Sequence, residues 1–187
     1  MAYQELKLKI VGVSPLLMHS GQLADPLNEF TKKMKKVSGK RAKTDADHME
    51  LSRLEWHGSL YLKGGAPCIP GWVMEAALVS GARKSKRGKQ VEAGLIIPDD
   101  HPLGYDGPKD VDKLWADERF QLRAGVKVQR NRVMRTRPMF KGWELEFTVQ
   151  YDDGLLNKQD VIDIVGVTGE QVGLCDWRPR FGRFRIG

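Results

Sequence analysis

The sequence predicts an α+β fold, and three observations carry that prediction. Residues 120–128 and 143–151 each alternate apolar and polar side chains with a period of two, the mark of half-buried strands. Residues 5–13 (ELKLKIVGV) do the same, with Leu6, Leu8 and Ile10 set against Lys7 and Lys9. Between them, the segment from Pro70 to about Arg83 is apolar nearly all round (Trp72, Val73, Met74, Ala77, Leu78), as a buried helix is.

The remaining elements follow in order. After the loop SPLLMHSGQ, Pro26 behind Asp25 predicts a helix over 26–37, with Leu27, Phe30, Met34 and Val37 on one face and lysines over the other. SGKRAK (38–43) reads as a mobile basic loop. Thr44 as N-cap, with Asp47 in the capping-box position, opens a second helix to about Leu54 or Trp56. Leu60 and Tyr61 predict a short strand, and GGAPCIPG a tight break before the buried helix. That helix runs into ARKSKRGKQ, read as a flexible loop, then a short strand in EAGLIIP. DDHPLGYDGPKD is turn-rich, and DVDKLWAD makes one or two helical turns. The alternating strands 120–128 and 143–151 read as an antiparallel hairpin with a long Arg-rich tip. KQDVIDIVGVT (158–168) is a helix, GEQVGLCDWRPRFG a Gly-bearing loop, and RFRI a closing strand.

Stripped of insertions, the order is βαββαβ: the ferredoxin-like arrangement, an antiparallel sheet with both helices on one face. The free face of such a sheet commonly binds RNA. The expectation is a single domain over 1–187, with a basic helical insertion at about 26–56 as a thumb-like element and a long basic hairpin. At 187 residues the chain is long enough for one sizeable core.

The positive charge is clustered. Net charge is +7, and most of the 31 Lys and Arg residues fall into four short blocks. These are Lys32–Lys43, Arg83–Lys89, Arg123–Lys141 and Arg178–Arg185. The last two interleave arginine with aromatics and prolines, as in RTRPMFKGW and DWRPRFGRFRIG. Guanidinium groups both fork onto phosphates and stack on bases, so this pattern points to single-stranded nucleic acid. Two cysteines, Cys68 and Cys175, make neither a disulfide framework nor a CxxC metal motif. The four histidines (His19, His48, His57, His101) show no HxxxH or HExxH spacing, and no GxSxG or Walker loop occurs. MAYQELKLKI lacks an apolar signal core and no apolar run reaches membrane-spanning length, so a cytoplasmic protein is expected.

Four features together resemble the RAMP superfamily, which includes the ferredoxin-like backbone subunits of CRISPR effector complexes. They are a first strand running into KIVGVSPLLMHSG, a basic helical insertion, a core helix after IPGWVMEAAL, and the C-terminal GEQVGLCDWRPRFGRFRI. The likeness covers most of the chain in element order and extends to a small phage- or prophage-encoded relative. The chain departs from it in being shorter than typical backbone subunits and in having only a partial Gly-rich loop. The resemblance implies an antiviral ribonucleoprotein component that polymerises along single-stranded RNA, its insertions acting as thumb and fingers. Some RAMP relatives place an RNA-cleaving acid in the loop after the first strand, where Asp25 stands; Asp25 before Pro26 also reads as a helix cap.

The candidate nucleic-acid contacts follow the blocks. In the insertion they are Lys35, Lys36, Lys40, Arg41 and Lys43, and after the buried helix Arg83, Lys84 and Arg87. In the hairpin they are Arg123, Lys127, Arg130, Arg132, Arg135 and Arg137, with Met134, Met139 or Phe140 as wedges between bases. In the tail they are Trp177, Arg178, Arg180 and Arg183. The bland alternatives are hairpin arginines pinned to Glu144 and Glu146, tail arginines paired to Asp176 and Asp160, and a solvated lysine face. The leading expectation is a non-enzymatic binder of single-stranded RNA or DNA, RNA favoured by the resemblance. It would form a homo-oligomer or multi-subunit ribonucleoprotein, without cofactor, metal or membrane. Two other classes stand beside it. One is a metal-dependent or acid–base endoribonuclease using Asp25 or a histidine. The other is a phage structural or assembly protein with a basic contact face.

Overall fold

The computed structural model describes residues 2–187. The chain is α+β, with six α-helices and small antiparallel sheets among the described residues. In order, the elements are β1 (Tyr3–Gly12), β2 (Leu16–Leu17), α1 (Glu29–Ser38), α2 (Asp45–Ser59), β3 (Leu62–Lys63), β4 (Ala66–Ile69), α3 (Gly71–Ala82), α4 (Gly88–Gly94), β5 (Leu95–Ile96) and β6 (His101–Pro102). There follow α5 (Val111–Ala116), β7 (Gln121–Val128), β8 (Asn131–Phe140), β9 (Glu144–Asp152), α6 (Lys158–Gln171) and β10 (Phe184–Ile186). No helix among the described residues is long and apolar enough to cross a membrane.

The chain divides into two compact units. The first comprises the chain up to Leu17, Leu62–Asp106 and Phe140–Gly187. Its main sheet has the order β10-β1-β9-β5 with every neighbouring pair antiparallel. Ile10, Leu145, Phe147, Val149 and Tyr151 are buried on one face, and α3 and α6 pack together. Two glycines make this packing feasible. A side chain at Gly12 would collide with the Trp143 indole, and one at Gly169 in α6 with Phe184 of β10. Gly64 and Gly65, both with positive φ, form the two-residue turn of the β3–β4 hairpin. Trp72 departs from the expected buried helix: it stands 61% exposed on α3.

The sheet's other face carries Glu5, Lys7 and Lys9 from β1 beside Glu144, Glu146 and Thr148 from β9. Lys9 Nζ lies 2.9 Å from Glu144, and Gln150 donates to Glu5 at 2.9 Å. Arg185 of β10, opposite Val11, shares this face, so its cations and carboxylates balance.

The second unit comprises Met18–Tyr61 and Gly107–Met139. The expected insertion, 26–56, lies inside it. Here α1 packs on α2, and α2 on α5. Trp56, buried, donates its indole N–H to the Phe120 carbonyl at 2.9 Å and lies 5.5 Å from the Trp115 ring. Helix α2 begins at the Thr44–Asp47 capping box, as the sequence predicts. Helix α1 begins later than predicted because the Asn28 side chain, not Asp25, caps it, accepting from Phe30 N–H at 2.9 Å.

The hairpin is the main correction. Strand 121–128 pairs with Asn131–Phe140, not with 143–151, and Gln129–Arg130 is its whole turn, Gln129 having φ +55°. The segment expected to be a long tip is itself β8. Strand β9 pairs instead with β1, Tyr3 opposite Asp152 through Val11 opposite Glu144. Met139 and Phe140, expected as exposed wedges, are buried. The loop after α3 is also more ordered than predicted: Arg83–Ser85 makes a 3₁₀ turn and α4 takes up Gly88–Gly94, leaving only Leu95–Ile96 as strand. The short strand predicted at Leu60–Tyr61 falls two residues later, at Leu62–Lys63.

Candidate nucleic-acid interface

Within the second unit, α1, α2 and the β7–β8 hairpin enclose a cleft of about 840 Å³. Five of the sequence-predicted cations line it. Lys35 comes from α1, Lys43 from the loop before α2, Arg123 from β7, and Arg135 and Arg137 from β8. Alternation on β8 puts Arg135 and Arg137 on one face as i and i+2, whereas Arg123, opposite Thr136 in the register, belongs to the other face of the hairpin though it too lines the cleft. His19 and His48 line the same cleft.

One carboxylate enters this basic surface. Glu55 of α2, 5% exposed, accepts from Arg137 Nη1 at 2.7 Å and Arg135 Nη1 at 3.2 Å through Oε1. Its Oε2 accepts the Thr136 backbone N–H at 2.9 Å. A buried carboxylate needs such partners, because an unpaired charge there would be costly. Arg137 is largely buried in this role, its side chain 12% exposed, whereas Arg135 keeps 38% exposure and spare N–H groups. Lys35, Lys43 and Arg123 are exposed, with no carboxylate within ion-pair distance among the described residues. The cleft therefore carries an excess of positive charge.

Two of the hairpin arginines, Arg135 and Arg137, are thus pinned, but to Glu55 rather than to Glu144 or Glu146. Nothing in the four charge blocks marks Glu55. The signal that would have found it is a carboxylate at i+4 from Leu51 on the inward face of α2, leading a buried run from Leu54 to Leu60.

The other candidates in this unit, Lys36, Lys40, Arg41, Lys127, Arg130 and Arg132, are exposed. Lys40 is engaged with Asp47 at 2.6 Å, and that contact, with the Thr44 N–H, holds the Asp47 carboxyl down at about 2. Asp25 accepts the Leu27 N–H at 2.8 Å in a local turn, and the helix cap expected of it is supplied by Asn28 instead.

The first unit holds the remaining candidates. Arg83 and Lys84 are exposed past the end of α3. Arg87 forks onto Asp160 at 2.5 and 3.0 Å, so Asp160, an expected partner of the tail arginines, ties the start of α4 to α6 instead. This contact lowers the Asp160 carboxyl below its usual range. In the tail, Trp177 stacks on Phe181 with ring centroids 5.9 Å apart and planes 17° apart, and stays 42% exposed. Arg178, Arg180 and Arg183 are exposed around it, and no carboxylate reaches them within ion-pair distance among the described residues. Backbone bonds fix this loop: Leu174 N–H to Gly182 O (2.9 Å), Gly182 N–H to Pro15 O (2.8 Å) and Asp176 N–H to Leu17 O (2.9 Å). Gly182, at φ +74°, leaves no room for a side chain against Leu174.

Among the described residues no group of three or more His, Cys, Asp or Glu side chains is arranged to hold a metal. No protein-family model matches the chain, and no curated protein matches its sequence.

Proposed function

We propose that this protein binds single-stranded nucleic acid, RNA in preference to DNA, and coats the strand as an oligomer without cutting it, as a RAMP-superfamily backbone subunit would. The observation that carries the reading is the cleft in the second unit. Cations as far apart in sequence as Lys35 and Arg137 converge there, and the nearest carboxylate is already neutralised. A polyanion supplies the charge this surface lacks, and its binding releases counterions. The tail supports the same reading, since a stacked, half-exposed Trp177 beside Arg178 and Arg180 suits a base and its phosphate. The balanced charge on the open face of the main sheet turns the reading away from that face.

The ferredoxin-like assignment belongs to this proposal. Taking β1, α3, β5, β9, α6 and β10 as the six elements, the order β10-β1-β9-β5 is the one that reading requires, and it supports the family likeness. Preference for RNA and growth along the strand rest on that likeness.

The test is fluorescence anisotropy with labelled single- and double-stranded oligonucleotides, comparing the protein with a Lys35→Ala, Lys43→Ala, Arg123→Ala variant. The single strand should bind more tightly, and the variant should lose at least tenfold at low salt. Equal binding by the variant would remove the cleft from the interface. Sedimentation with strands of increasing length should show complexes that grow with the strand; one protein per strand at every length would contradict coating.

An acid–base endoribonuclease is the second reading, favoured by His19 and His48 lining the same cleft. Labelled RNA left intact after incubation with and without divalent metal would exclude it.

A further inference from the structure

The cleft has an apolar component that phosphate tracking does not need. Met34 of α1, Leu51 of α2, Leu23 of the turn before α1, and Val133 and Met134 of β8 line it together with the cations. Leu23, Met34, Leu51 and Val133 are only half-exposed, whereas Lys35, Lys43 and Arg123 are exposed. The lining thus mixes half-exposed apolar residues with exposed cations, and its most buried charged members are Glu55 and Arg137. A groove that only follows a sugar–phosphate backbone has no use for a cluster of thioether and aliphatic side chains. A volume of about 840 Å³ also lies in the range of small-ligand pockets, roughly 300–1,000 Å³, rather than of an extended track.

We infer that this cleft is a nucleotide pocket, taking one base against Met34, Leu51 and Met134 while Lys35, Arg123 and Arg135 hold its phosphate. Two chemical requirements point to this ligand class. The occupant must present an apolar or planar body together with a compact, strongly anionic group. A fatty acid meets the first, but its single carboxylate does not answer the cations left over after Glu55 has paired with Arg137; inorganic phosphate meets only the second. A base with its phosphate meets both. Methionines on two elements, α1 and β8, suit a planar ring of any identity, because the thioether is polarizable and its rotamers adapt. The pocket is thus tolerant of base identity. Arg135, held by one bond to Glu55, retains donors for a phosphate oxygen, while Arg137 mainly serves to hold β8 to α2.

The nucleotide has two sources, free nucleotide and a unit of a bound strand; the second rests on the function proposed above. Equilibrium dialysis with adenosine 5′-monophosphate, adenosine and inorganic phosphate tests the first. Anisotropy with a normal single strand and an abasic strand of equal length and phosphate count tests the second. The monophosphate should bind about tenfold or more above either fragment, and the normal strand about tenfold above the abasic one. Met34→Gln with Met134→Gln should abolish both differences without weakening phosphate binding. Met134→Gln alone, at a position 53% exposed, serves if the pair does not fold, and should reduce both. Phosphate binding as well as the monophosphate, or the abasic strand binding as well as the normal one, would overturn the pocket. If that happens while strands still bind with salt-dependent affinity, the nucleic-acid reading survives. If the monophosphate binds and no strand does, the pocket stands and that reading falls.

Discussion

Arg137 donates to Glu55 at 2.7 Å with both side chains almost wholly buried, so a residue from the most basic stretch of the chain serves as a tie between β8 and α2. Its neighbour Arg135 makes the same bond at 3.2 Å while 38% exposed. The two should therefore separate in mutagenesis. Arg137→Ala leaves a buried carboxylate short of its closest partner and should cost about 3 kcal/mol in urea denaturation. Arg135→Ala, discounted for solvent screening, should cost about 1 kcal/mol or less. Equal costs would mean that the pair does not hold the hairpin as described.

Trp143 anchors the start of β9. It is 1% exposed, its indole donates to Ser14 O at 2.9 Å, and its ring occupies the space a side chain at Gly12 would need. Trp143→Ala should cost about 3–5 kcal/mol in chemical denaturation. Gly12→Ala should also destabilise, because the ring would have to move. A Gly12→Ala protein as stable as the parent would contradict this packing.

Both thiols are held in the protonated form. Burial pushes Cys68 up to about 11 and Cys175 up to about 12. Since the thiolate is the reactive species, buried Cys68 should not react appreciably with a disulfide reagent at pH 8 until the protein unfolds, and half-exposed Cys175 should react more slowly than it does in the unfolded chain. Rapid labelling of the native protein would contradict that burial.

Acid should expose the Asp47 contact. Its carboxyl sits at about 2 in the folded protein against an ordinary 3.8, through Lys40 first and then Thr44. A depressed carboxylate contributes stability that is fully present above its unfolded value and is lost as pH falls through the folded one. The difference in melting temperature between the parent and Asp47→Asn should therefore be constant above about pH 5 and shrink between about pH 4 and pH 2. A difference independent of pH would show that the ionised carboxylate contributes nothing.

Elements fixed by local chemistry were legible in the sequence. The Thr44–Asp47 capping box starts α2 where it should, and the alternation of Leu6, Leu8 and Ile10 marks β1. Strand β8 was not legible because its arginines (Arg132, Arg135, Arg137) fall on both faces and its buried positions include Thr136 and Pro138, a polar residue and a proline where a strand pattern expects aliphatic side chains. With β8 hidden, β9 seemed to pair with its near neighbour in sequence. Its actual partner β1 lies more than a hundred residues away, a choice made by tertiary packing. The charge blocks named the cations of the cleft, but grouping by sequence could not separate Arg137, spent on Glu55, from Lys35 and Arg123, which are not.

The central claim is that the clustered cations neutralise the phosphates of a single strand. Its most direct test is the dependence of single-stranded RNA affinity on salt. Log affinity should fall linearly with log salt, with a slope of roughly −0.7 for each phosphate contacted. The Lys35→Ala, Lys43→Ala, Arg123→Ala variant should show a slope shallower by about 2. Affinity unchanged between low and high salt, or the same slope in parent and variant, would contradict the account.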